Sequence, residues 1–190
     1  MRSSARVHDE PFSIPAAGGV TLAQRAWQSV ASAAVAVARA TPIGKSYQRA
    51  VLAEARVPFY RRALHELRIE LEVEPADLAR VPSSGPLVVV ANHPFGAADG
   101  LALLELIGRV RADVRILANH WLAALPELSG QVMPIDAFGG RRARGRNIAA
   151  LREAMGWLRA GRCVCVFPAG EVAHAERGDT VIDSPWRTTA

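Results

Sequence analysis

The chain has 190 residues, with 23 Lys+Arg against 18 Asp+Glu and a formal net charge of +5. Half of its residues are hydrophobic and 22% are charged, which excludes an intrinsically disordered chain. This length can bury the core of one α/β domain and leaves little room for a second. Cys163 and Cys165 are the only cysteines, too few for a disulfide framework, and inside an apolar run they read as small buried hydrophobes.

The basic excess is almost all arginine, Lys45 being the single lysine. Arginine favours two-pronged contact with phosphate and carboxylate, although its abundance beside alanine also fits a GC-rich coding sequence. No aromatic residues interleave the arginines in the manner of a nucleic-acid surface, so no nucleic-acid partner is expected. Residues Met1–Pro15 carry Arg2, Arg6, Asp9 and Glu10 without the apolar stretch of a signal peptide. The apolar segment Val30–Ala38 is short against the roughly 20 residues that a spanning helix needs.

In chain order, residues 1–20 mix charge with Pro11, Pro15, Gly18 and Gly19 and read as a flexible tail. Residues 21–40 are alanine-rich, with Leu22, Ala26, Trp27, Val30, Ala33 and Val37 at helical spacing. A second helical stretch runs from Lys45 to Leu67, kinked or split at Pro58. Trp27, Phe59 and Tyr60 among arginines suit either core cover or a membrane interface, so residues 21–67 are N-terminal helices open to both roles. Ile69, Leu71 and Val73 alternate with Glu70, Glu72 and Glu74, the pattern of a half-exposed strand. After a helical turn at Pro75–Ala79, Leu87–Ala91 is a continuous run predicted as a strand buried on both faces. A helix over Asp99–Arg109, a strand over Val114–Ala118, a short helix at Trp121–Leu125 and a strand over Val132–Ile135 follow. A helix from Asn147 to Arg159 and a last buried strand, Cys163–Phe167, complete the pattern. Alternating strands and helices predict an α/β domain over residues 68–190, with a mostly parallel central sheet and helices on both faces.

The sharpest local feature is Asn92-His93-Pro94-Phe95-Gly96-Ala97-Ala98-Asp99-Gly100. Pro94 and Gly96 make a tight loop that can fold Asp99 back onto His93. A carboxylate on one ring nitrogen fixes the tautomer and leaves the other nitrogen as a base. The same carboxylate also suits a helix N-terminus, so a catalytic pair and a simple cap both remain open. His120 and His174 match no compact metal-ligand spacing, and no metal site is expected. No phosphate-binding glycine pattern of the mononucleotide or dinucleotide type follows a strand.

The block Asn92–Gly100 resembles the N-H-x(4 or 5)-D motif of the glycerolipid and lysophospholipid acyltransferases, above all their NHPFG "hemolysin-family" branch. Val166-Phe167-Pro168-Ala169-Gly170-Glu171-Val172-Ala173 is similar to that branch's FPAGEVS, with Ala173 in place of the serine. Between them, Pro134–Arg141 sits where the family carries its glycerophosphate-binding arginine block. The resemblance implies transfer of an acyl group from an acyl thioester, on coenzyme A or acyl carrier protein, to a hydroxyl of a lysophospholipid, glycerol phosphate or related lipid. His93 is then the general base and Asp99 its orienting partner, with no bound cofactor and no cysteine nucleophile.

Arg141, Arg142, Arg144 and Arg146 are expected in a glycine-containing loop before the helix from Asn147, with Arg141 and Arg142 the preferred head-group ligands. A solvated basic loop is the other reading. Gly96 and Gly170 are candidates to bring amides to the developing oxyanion, and Glu171 to shape the acceptor site or start a helix. Peripheral attachment at the cytoplasmic face of a membrane, and an acyl carrier protein as partner, follow from the same resemblance. The family continues past Asp183-Ser184-Pro185-Trp186 into another strand, so a C-terminally short sheet with an exposed edge is expected. A non-catalytic lipid-binding remnant of the same fold is the alternative function.

Overall fold

A computed structural model describes residues 41–53, 56–123, 125–136, 141–175, 181–182 and 185–186. The expected tail, the alanine-rich helix and Trp27 lie outside these residues. The first described helix, α1 (Pro42–Leu52), starts where Thr41 caps it: the Thr41 hydroxyl accepts from the Gly44 N–H at 3.1 Å, and Pro42 has no N–H to leave unsatisfied. Pro58 stands at the N-cap of α2 (Phe59–Glu66), so the proline splits the predicted stretch in two. A single turn, α3 (Pro75–Leu78), precedes strand β1 (Leu87–Val90). Then come α4 (Ala97–Gly108), β2 (Val114–Asn119), α5 (His120–Ala123) and a 3-10 turn at Pro126–Leu128. Strand β3 (Val132–Ile135), the long α6 (Arg141–Arg159) and β4 (Cys163–Val166) complete the main unit. A small antiparallel pair, β5 (His174–Ala175) with β6 (Val181–Ile182), follows.

The four main strands form one all-parallel sheet in the order β1-β4-β2-β3. This is the expected α/β architecture, with helices on both faces. On one face, Val89, Cys163, Cys165, Ile116 and Val132 pack with Leu101, Leu104 and Ile107 of α4 and with Phe59 and Leu64 of α2. On the other face, Ala150 and Ala154 of α6 meet Leu117, Met133 and Val164. Both cysteines are fully buried, and hydrogen bonding to Cys163 together with burial pushes the Cys165 thiol up, away from ionisation. They are packing residues, as the sequence implies.

Three expectations are corrected. Residues 69–74 form no strand: Ile69, Leu71 and Val73 are half-buried and the glutamates exposed, but the segment joins no ladder. Period-two alternation requires only one apolar face, whereas a strand also requires an edge to pair with. Strand β1 is an edge strand and not buried on both faces; Val88 and Val90 are 51% and 46% exposed. They share the face of Val164 and Val166 but lie beyond the cover of α6. Helix α6 begins at Arg141 and not at Asn147, so the arginine run occupies its first turns and is not a loop. Of the aromatic residues for which both a core and an interface role are open, Phe59 faces the core. It is buried edge-on against Tyr47, with ring centroids 5.7 Å apart, and Tyr60 is half-buried over Gly108, where a Cβ would stand 2.8 Å from its hydroxyl. Through Ala50, Phe59, Ala63 and Leu64, α1 and α2 contribute to the core, while Ile43 and Leu52 of α1 are exposed.

Candidate active site

Parallel pairing puts the two sequence blocks together. Val90 is in register with Val166, and the Ala91 N–H donates to the Val166 carbonyl at 3.3 Å, so β1 and β4 end side by side. The chain leaving β1 presents His93; the chain leaving β4 presents Phe167. Gly96 then turns the first loop into α4 with φ +68° and ψ −125°, a backbone conformation reserved in practice for glycine. Asp99 falls in the first turn of α4, where a carboxylate meets the positive end of the helix dipole.

The His93 Nδ1 and Asp99 Oδ2 are 3.0 Å apart. The same Oδ2 accepts from the Phe95 N–H at 2.8 Å. A carboxylate oxygen that accepts from Nδ1 requires the proton there, which in the neutral imidazole leaves Nε2 with its lone pair. Both side chains are largely buried, with 18% of His93 and 14% of Asp99 exposed. The His93 carbonyl accepts from the Ala173 N–H at 2.9 Å, and its ring lies flat on Phe167, centroids 4.1 Å apart and planes 14° apart.

His93 opens onto a cavity of about 480 Å³ walled by Leu117, Leu122, Ile135 and Phe167, with Gly96, Gly170 and Glu171 also on its lining. That is an apolar space with a few polar groups at one end, the usual form of a small-molecule site. Gly96, the N-cap of α4, and Ala97, its first residue, border it, bringing the helix's positive end to the space beside His93. The Gly170 amide is already engaged, donating to the Phe167 carbonyl at 3.0 Å, and Gly170 serves through its φ of +73°. An exposed Glu171 borders the cavity in a bend, and β5 follows it instead of a helix, so the helix-start reading of this residue is set aside.

The structure therefore gathers His93, Asp99, Gly96, Gly170 and Glu171 into one place. Arg141 and Arg142 lie in the first turn of α6, which follows β3 and so starts at the same end of the sheet; their side chains are outside the described residues, as are those of His120 and His174. Arg146 is paired with Asp136, whose N–H donates to Asn147 Oδ1 at 2.7 Å. Sequence reasoning missed Phe167 as a site residue, although it stands in the quoted FPAGEV block. It also missed Asn119, which borders the cavity, and the Ala173 amide. The last carries no side-chain signal.

A family model described as Acyltransferase matches residues 58–190. The chain belongs to this acyltransferase family. Two curated relatives of this chain are named lyso-glycine lipid O-acyltransferases. The protein from Phocaeicola vulgatus is 30% identical over 122 residues, covering 64% of this chain and 42% of the relative. Its counterpart from Bacteroides thetaiotaomicron is 28% identical over 122 residues, covering 64% and 43%. The chain thus spans less than half the length of these relatives. No solved structure matches it.

Proposed function

We propose that this acyltransferase moves a fatty acyl group from an acyl thioester, on coenzyme A or acyl carrier protein, to a hydroxyl of a lyso-lipid, lysophospholipid or glycerol phosphate acceptor. One observation carries the reading: the 3.0 Å pairing of His93 with Asp99 at the mouth of an apolar cavity. The names of the two relatives support lipid O-acyl transfer as the reaction class.

A hydroxyl is a poor nucleophile at neutral pH. In the proposed step, His93 Nε2 removes its proton as the oxygen attacks the thioester carbonyl, and Asp99 balances the charge of the resulting imidazolium. The oxyanion forms beside the N-terminal end of α4. Collapse breaks the C–S bond, and the proton held by His93 passes to the departing thiolate, so an ester and a free thiol are produced with no net change in protons. The cavity wall of Leu117, Leu122 and Ile135 holds an acyl chain, and Arg141 and Arg142 take an anionic head group from the start of α6. Attachment to a lipid surface completes the proposal. The net charge of +5 and the 74% exposed Phe95 beside the site support it, and among the described residues no helix is long and apolar enough to cross a membrane.

The test is thioester consumption with lyso-lipid acceptors, comparing the protein with His93→Ala. A positioned base is worth roughly 10²–10⁴-fold, and a loss of that size is expected. Turnover indifferent to the substitution would sink the mechanism.

A further inference from the structure

We propose that Phe167 is a positioning residue for His93, fixing the plane of the imidazole that Asp99 alone leaves free to rock. This rests on the general-base reading of His93. A hydrogen bond to Nδ1 pins one atom of the ring, and the torsion about the Cβ–Cγ bond of histidine is soft, with no sharp staggered well. A base must aim its lone pair at a proton, and misplacement by an ångström is enough to cost about 100-fold. The second constraint is the flat stack on Phe167, at 4.1 Å and 14°. Such parallel aromatic contact resists rotation out of the plane and covers one face of the ring against water.

Phe167 is itself held firmly. It follows β4 directly, its carbonyl accepts from Gly170, and Pro168 and Ala169 behind it are buried. It also forms a wall on two sides: the 480 Å³ cavity that His93 opens onto, and a second hollow of about 460 Å³ that Asp99, Asn92 and Pro94 border. The His93–Asp99 pair thus stands between two spaces, with the Phe167 ring as part of the partition. Leucine at this position keeps the apolar wall but loses the plane, so Phe167→Leu separates positioning from cavity lining.

The expected result for Phe167→Leu is a fall in kcat of about 10- to 100-fold with KM unchanged, largely restored in Phe167→Tyr. In a His93→Ala background the same substitution should cost nothing further, because there is no ring left to position. In the free protein, the His93 ring-proton resonances, assigned by their absence in His93→Ala, should lie upfield and move downfield in Phe167→Leu. A rise in KM with kcat kept, an undiminished second loss in the His93→Ala background, or ring resonances that do not move would each overturn the proposal. If wild-type turnover proves independent of His93, the general-base reading fails by itself, and the resonance shift still decides whether the stack orders the ring.

Discussion

Asp99 meets two demands with one oxygen. Its Oδ2 accepts from His93 Nδ1 and from the Phe95 N–H, so one oxygen ties the loop before α4 to the helix's first turn and holds the imidazole. The N-cap itself is Gly96, without a side-chain cap bond, so Asp99 is a first-turn carboxylate that also holds His93. This makes the position separable by substitution. Asp99→Ala should lose the acceptor of the Phe95 N–H and the first-turn charge, about 0.5–1.5 kcal/mol of stability read from urea unfolding, together with activity. Asp99→Asn can still accept from Phe95 but cannot balance an imidazolium, so it should keep most of the stability and lose turnover nearly as His93→Ala does. Equal activity in Asp99→Asn and wild type would remove the carboxylate from the mechanism.

At the scale of the element, α6 is informative because its composition opposes its own geometry. Four arginines stand in its first two turns, where the macrodipole disfavours positive charge by about 0.3–1 kcal/mol each near the terminus. Arg146 is relieved by its pair with Asp136. Placing charge there is sensible if an anion is the partner, since the helix N-terminus and arginine then act together. Arg141→Glu should therefore raise thermal stability slightly while raising KM for a phosphate-bearing acceptor. A gain in stability with KM unchanged would leave Arg141 a surface residue. The arginine run is visible in the sequence; its position inside a helix is not, because Gly139, Gly140 and Gly145 interrupt the pattern, and only the packing of Ala150 and Ala154 on the sheet organises the element.

For the molecule as a whole, the end of the sheet opposite the site is held by Arg111. Its side chain is 1% exposed and bonds Asp113 at 2.8 and 2.7 Å, the Gly85 carbonyl at 2.7 Å and the Gly161 carbonyl at 3.0 Å. It thus ties together the chain segments entering β1, β2 and β4. Arg111→Met would leave buried acceptors unpaired and should cost about 3–5 kcal/mol in urea unfolding, although methionine fills much of the space. The clamp also has a pH signature. Hydrogen bonding from Arg111 holds the Asp113 carboxyl below its ordinary value of 3.8. The unfolded chain therefore takes up this proton first, so the contribution is complete above that value and fades as pH falls through the lower folded value. Unfolding midpoints measured between about pH 5 and pH 2 should decline more steeply in wild type than in Asp113→Asn.

The sequence by itself determined the four strands of the parallel sheet and the helices between them, the split at Pro58, the buried cysteines and the two blocks that meet at the candidate site. Those are properties of local composition: proline geometry, period, and which residue types a turn admits. It did not determine that residues 69–74 stay out of the sheet, that β1 lies at its edge with Val88 and Val90 half-open, or that Phe59 turns inward. Each of these depends on which surface a segment meets, and alternation or a β-branched run reads the same whether that surface is a ladder, a helix or solvent. The site shows the same division. His93, Asp99 and Gly96 are legible because nine consecutive residues hold them. Phe167 reaches His93 only because β1 and β4, 76 residues apart at Val90 and Val166, are hydrogen-bonded neighbours in the tertiary structure.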